Sequence, residues 1–153
     1  MTYTIKKGNH YCSGLRFGFA KTDLKFRFKF HSDCIYDTTG IIPGWNKLYG
    51  WSSIGIHSNS VRLGWDCRNG KLWVGYYCYL NGIRIDGDLM QVEPNIWYDG
   101  ECNIINGDYL MRVNNVSKII IGGCKPSIAF QCYPYFGGNS VAPQTMSIEI
   151  QKL

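Results

Sequence analysis

Alternation decides what this chain can become. Over most of its length apolar and polar residues exchange places at every second position, the period of a β-strand with one buried and one wet face. Leu24, Phe26, Phe28 and Phe30 alternate with Lys25, Arg27 and Lys29. Val61, Leu63 and Trp65 form a second run, Leu72 to Leu80 a longer third, and Met146, Ile148 and Ile150 close the chain in the same pattern. Three Asn-Gly pairs stand between such runs, at 69–70, 81–82 and 106–107. A type I′ hairpin turn needs positive φ at both central positions, which Asn and Gly adopt readily. Further strands are expected at Leu89–Val92, Cys102–Ile105, Asp108–Val113, Val116–Ile121 and Ser127–Tyr133, with turns at Asp86-Gly87, Asn114-Asn115 and Gly122-Gly123. No segment sustains an apolar stripe at helical spacing beyond two turns.

Short strands at a spacing of roughly 8–12 residues describe an antiparallel β-sandwich or jelly roll. The 153 residues suit one domain spanning 1–153, with the first and last strands near one another. Thr38 to Trp51, containing Pro43, Gly44 and Trp45, reads as a long surface loop. Trp45, Tyr49 and Trp51 are its candidate interaction residues, because exposed rings stack on sugars or anchor a protein interface. Arg62, between Val61 and Leu63, is expected on a half-buried strand face that must supply it a partner.

No constellation for familiar catalysis stands out. His10, His31 and His57 lie in no nucleophile motif, and the neighbours in His57-Ser58-Asn59-Ser60 would point to opposite faces of a strand. Glycoside hydrolysis needs two carboxylates about 5–10 Å apart. Asp86, Asp88, Glu93, Asp99, Glu101 and Asp108 sit beside Gly, Asn or Pro, where acids cap turns, and no Glu-x-Asp-x-Glu strand occurs. Asp86-Gly-Asp88 offers too few oxygens for a calcium cage. The seven cysteines have irregular spacings and no Cys-x-x-Cys pair, so they read as free, buried thiols in a reducing cytoplasm. No catalytic, cofactor-binding or metal-binding residue is therefore expected. The net charge of +5 is scattered, and the group Lys21, Lys25, Arg27 and Lys29 reads as a solvated strand face. Nucleic acid is not expected as a partner. No leader precedes the first strand and no apolar run approaches the about 18 residues of a membrane span, so no membrane is expected either.

Two segments carry a family resemblance. Gly55-Ile-His-Ser-Asn-Ser-Val-Arg-Leu-Gly-Trp65, followed by Tyr76-Tyr-Cys-Tyr-Leu-Asn-Gly-Ile-Arg84, is one; Tyr133-Pro-Tyr-Phe-Gly-Gly-Asn-Ser-Val-Ala-Pro-Gln-Thr-Met-Ser-Ile148 is the other. Together they resemble short β-sandwich proteins of tailed bacteriophages, including crAss-like phages, of the concanavalin A or laminin G type. The match departs at Asp66, where a basic residue is usual, and in a histidine-rich lead-in reduced to His57. The resemblance implies a non-enzymatic structural protein, an auxiliary or decoration protein of the virion head made in the host bacterial cytoplasm. Its partners would be the major capsid protein, other virion proteins or copies of itself, with no cofactor. The alternative is a carbohydrate-binding, lectin-like module whose partner is a glycan.

Overall fold

The computed structural model describes residues 1–14, 18–55 and 57–153; Ile56, inside the first resembling segment, lies outside them. The strands are β1 (Thr2–Ile5), β2 (Asp23–Phe30), β3 (Asn46–Ser52), β4 (Ser60–Arg68), β5 (Lys71–Leu80) and β6 (Ile83–Val92). They continue as β7 (Tyr98–Ile105), β8 (Asp108–Val113), β9 (Val116–Ile120), β10 (Phe130–Cys132) and β11 (Met146–Lys152). One 3-10 turn, Ser32–Cys34, is the helical content of the described residues. Two antiparallel sheets face each other: one in the order β1-β11-β2-β7-β8-β9, the other β10-β3-β4-β5-β6. This is a jelly-roll sandwich, and the first and last strands pair directly, Tyr3 opposite Ile148.

The alternating sequence explains the core. On β2 the residues Leu24, Phe26, Phe28 and Phe30 are buried while Lys25 is exposed. Their rings meet those of the opposite sheet: Phe26 lies edge-on to Tyr49, and Phe30 packs on Trp65 at 5.2 Å. All three Asn-Gly pairs have positive φ at both positions (51° and 71°, 51° and 83°, 52° and 84°), the geometry a type I′ turn demands. The seven cysteines are free thiols; Cys124 is exposed and the other six are buried.

Three expectations need correction. The stretch Thr38–Trp51 is not all loop, because Asn46–Ser52 is an inner strand of the five-stranded sheet. Its register slips at Leu48, so that Lys47 opposes Gly64 but Tyr49 opposes Leu63. This bulge puts two apolar residues in succession and erases the alternation by which strands are recognised. Tyr49 and Trp51 thereby turn into the core at 1% and 0% exposure, while Lys47 faces out of the sandwich. Trp45 is also covered, lying against Gly64 and Gly75 on the outer side of the sheet.

Asp86-Gly87 is no turn but the middle of β6. Asp86 pairs with Arg84 at 2.7 Å and Asp88 with Arg68 at 3.0 Å, so each acid is held by an arginine. Gly87 is there for space: a Cβ would stand 2.4 Å from the Tyr76 hydroxyl, and glycine inside a strand marks such close approaches. Finally, Ser127–Tyr133 contracts to Phe130–Cys132, which pairs with β3 as Gln131 opposite Trp51.

Gly75 shows how tightly the outer layer fits. A Cβ there would meet the Gly87 carbonyl oxygen at 2.2 Å and the Trp45 ring at 2.4 Å. Gly75→Ala is expected to cost about 1–3 kcal/mol, the range for overpacking. Urea unfolding monitored by tryptophan emission reads it, because Trp45 must lift from the sheet.

Candidate functional site

Outside the five-stranded sheet lies an open cleft of about 1140 Å³. Three parts of the chain build it: the strand residues Lys47, Ser52 and Arg62, the residues Ser53, Ile54, Gly55 and His57, and the run from Phe130 to Gly138, with Tyr11 at its rim. Among its described lining residues there is no carboxylate, whereas Lys47, Arg62 and His57 all line or flank it. Its other described walls are mostly uncharged, with the rings of Tyr11, Phe130, Tyr133 and Tyr135 among them.

Lys47 is held by geometry that its neighbours dictate. Its backbone N–H donates to the Tyr135 carbonyl at 2.8 Å, and the Tyr135 N–H donates back at 2.9 Å. The side-chain Nζ donates to the carbonyl oxygens of Trp45 at 3.0 Å and Gly137 at 3.3 Å. It also stands 4.8 Å from the centre of the Tyr77 ring and 5.8 Å from that of Tyr135. Burial pushes the Lys47 ammonium down to about 8, and the positive charges of Arg62 and Arg84 push the same way against the weaker pull of Asp86. Two acceptors take two N–H groups, so the third position of the nitrogen is an N–H when it is charged and a lone pair when it is neutral.

Arg62 is 5% exposed. Its guanidinium lies over the Tyr77 ring at 5.3 Å and donates to the Ser60 hydroxyl at 3.2 Å. Gly50 makes room for it: a Cβ there would sit 2.8 Å from Arg62 Cγ and closer still to its Cα. The Tyr77 ring is therefore within cation–π distance of both Lys47 and Arg62. Burial raises the Tyr77 hydroxyl to about 12, with Tyr79 adding to the effect.

Tyr135 is fixed from several sides. His10 stacks on its ring at 5.3 Å and Tyr11 meets it edge-on at 5.1 Å. The adjoining Phe136 N–H donates to the His10 carbonyl at 2.8 Å, and Phe136 itself plugs the sandwich end against Tyr36 and Trp65. Burial holds the Tyr135 hydroxyl above its ordinary range, so it keeps its proton. The turn beyond it is tied down by Asn46, whose Oδ1 accepts from the Gly137 N–H at 2.5 Å. Asn46 Nδ2 donates to the Tyr36 hydroxyl, which donates to Asp66. Asp66 in turn pairs with Arg68 at 3.1 Å, and the Arg68 guanidinium covers the Trp45 ring at 4.8 Å.

Of the residues singled out from sequence, Trp45, Tyr49 and Trp51 lie beneath or beside the cleft and none is on an exposed loop. Trp45 contributes only its carbonyl to Lys47. His57 reaches the rim, edge-on to Tyr79 at 4.8 Å. Sequence reasoning missed Lys47 and Tyr135 as a pair, because they lie 88 positions apart and are brought together by an isolated bridge outside any regular strand pairing. The available signal was glycine inside strands, at Gly50, Gly64 and Gly75, each a place where something lies close over the sheet.

No protein-family model matches the chain, and no curated protein sequence matches it. Solved structures do. The alginate lyase AlyC3 superposes with a TM-score of 0.58 at 11% identity, over 99% of this chain and 74% of its own. Alginate lyase A1-II′, a member of polysaccharide lyase family 7, gives 0.56 at 10% identity, over 99% and 79%. An uncharacterised protein from Mycobacterium paratuberculosis gives 0.52 at 10%, over 97% and 80%. At these identities the likeness is one of fold.

These matches correct the expectation of a non-enzymatic phage head decoration protein. The fold is a concanavalin A-like jelly roll shared with polysaccharide lyases, and nothing in the matches indicates a phage protein. The chain is similar in fold to alginate lyases over nearly its whole length.

Proposed function

We propose that this protein cleaves an acidic, uronate-containing polysaccharide by β-elimination in the cleft. The observation that carries the reading is Lys47, a lysine lowered to about 8 beside Arg62 in a cleft whose described lining holds no carboxylate. Hydrolysis by the common route uses two carboxylates. Elimination uses none. It needs a cation to neutralise the sugar carboxylate, a base for the proton on the adjacent carbon and an acid for the leaving oxygen.

The three roles fall on three residues. Arg62 faces the sugar carboxylate and withdraws charge from it, which acidifies the neighbouring C–H. Neutral Lys47 takes that proton on its lone pair, and the electron pair of the C–H bond forms a carbon–carbon double bond. The bond to the glycosidic oxygen breaks, and Tyr135 delivers its hydroxyl proton to that oxygen. Lys47 then returns its proton to solvent and the Tyr135 phenolate takes one up, so no water is consumed. A base whose pKa lies near the working pH is the efficient choice for such a step. Alginate lyase AlyC3, whose dimannuronate complex superposes on 99% of this chain with a TM-score of 0.50, supports a uronate as the substrate.

Incubation with polymannuronate, polyguluronate and polygalacturonate tests the reading. Unsaturated uronate ends, followed by their ultraviolet absorbance, are expected from at least one polymer. Because only the neutral amine accepts the proton, the rate at limiting substrate should climb as pH rises towards about 8 and level off above it. Binding without unsaturated product on every polyuronate, or release of saturated reducing ends, overturns the proposal.

A further inference from the structure

Two consecutive residues of β3 grip the same glycine. Lys47, on the cleft side, donates from its Nζ to the Gly137 carbonyl at 3.3 Å. Asn46, only 1% exposed, accepts the Gly137 N–H on its Oδ1 at 2.5 Å. Gly137 has a φ of 63°, and a Cβ there would stand 2.3 Å from the Ser140 carbonyl oxygen. A residue that has to be glycine thus has its N–H held by Asn46 and its carbonyl by Lys47.

The Asn46 amide can point only one way. Asp66, paired with Arg68, accepts hydrogen bonds and gives none, so the Tyr36 hydroxyl donates to it at 3.2 Å. Burial keeps the proton on that hydroxyl. Its oxygen accepts from Asn46 Nδ2 at 3.3 Å, which leaves Oδ1 for Gly137. Asp66 is held in turn by the Cys67 N–H at 2.8 Å and by Arg68 at 3.1 Å. A buried polar chain whose members are all satisfied is rigid.

What this chain controls is the amine. Tyr135 is secured separately, by two backbone bonds to Lys47 and by the rings of His10 and Tyr11. Among the described residues, Lys47 Nζ bonds to two carbonyls, those of Trp45 and Gly137. With one of them adrift, the flexible stem of a lysine no longer fixes where the third position of its nitrogen points.

Resting on the elimination reading above, we infer that Asn46 is a positioning residue, which through Gly137 aims the third position of Lys47 Nζ at the substrate carbon. Asn46 itself is too deeply buried to meet a sugar. A misplacement of about 1 Å can cost on the order of 10²-fold in rate, and the amine is the group that Asn46 keeps in place.

The test compares wild type, Asn46→Ala and Tyr36→Phe on the polyuronate that the wild type cleaves, under conditions where urea unfolding shows each to be folded. Asn46→Ala is expected to lower kcat about 10- to 100-fold with KM unmoved. Tyr36→Phe keeps the ring and the Gly137 contact, so it should lose less, about three- to tenfold, again in kcat. In the Lys47→Met background Asn46→Ala should add no loss beyond about twofold, because residues that act through one group are not additive. Wild-type kcat in either variant, a loss carried by KM, or an undiminished loss in the Lys47→Met background overturns the positioning role and leaves the reading of the cleft intact. Tyr36→Phe decides alone if Asn46→Ala does not fold. Failure of the wild type to act on any polyuronate overturns both.

Discussion

Replacing Lys47 by Met should lower the release of unsaturated ends by about 10²- to 10⁴-fold, the usual contribution of a positioned general base. Met keeps an unbranched side chain of similar length and removes the amine, and with it the proton acceptor and the hydrogen bonds to the Trp45 and Gly137 carbonyls. Lys47→Arg separates the two jobs a cation could have here. Arginine stays charged at every working pH, so it preserves attraction for a polyanion but cannot accept the proton. Polyuronate binding measured by titration calorimetry should survive in Lys47→Arg while turnover is lost. Turnover at wild-type level in Lys47→Arg would show that the residue acts by charge alone, and the assignment of the base would fall.

Removing the Lys47 amine also leaves a mark on stability. Lys47 binds its proton near 8 in the folded chain and near 10.5 when unfolded. Between those values the unfolded state holds more protons, so wild-type stability rises with pH across the window. Below about 8 the cost of burying the charge is present in full. Lys47→Met should flatten that rise, a difference readable from urea midpoints at pH 7 and pH 10.

How much of this could be read from sequence depends on how local each feature is. The strand β2 is fully legible because Leu24, Phe26, Phe28 and Phe30 keep strict alternation and one face meets the core. The hairpins at Asn69-Gly70, Asn81-Gly82 and Asn106-Gly107 are legible because their φ values are set by two adjacent residues. β3 is not, since the single extra residue at Leu48 breaks its period. The basicity of Lys47 is not either: it comes from burial and from Arg62 and Arg84, which arrive from other strands. The segments from Gly55 to Trp65 and from Tyr133 onward do stand out in sequence. Read as structural devices, they concealed that Arg62 comes from the first and Tyr135 from the second, and that the fold sets both on one cleft.

Trp51→Ala should be the most damaging single change to the fold, at about 3–5 kcal/mol. The ring has no exposed surface. It meets Tyr109 of the opposite sheet edge-on at 5.6 Å, and its Nε1–H donates to the Cys102 carbonyl at 3.2 Å. Truncation opens a cavity between the two sheets and strands a buried acceptor, which adds to the loss. Domains of this kind have about 5–15 kcal/mol in total, so the variant should unfold at a far lower urea concentration. Trp51→Phe keeps the edge-on contact and gives up only the hydrogen bond, so it should lie between wild type and Ala. A tryptophan on an interaction loop would behave the other way, with binding lost and the unfolding midpoint unmoved. The contrast with Lys47 completes the argument, because the two residues share β3 and differ in which side of the sheet they face. At Trp51 turnover should fall only as far as the folded fraction falls, whereas at Lys47 it should vanish from a protein that remains folded.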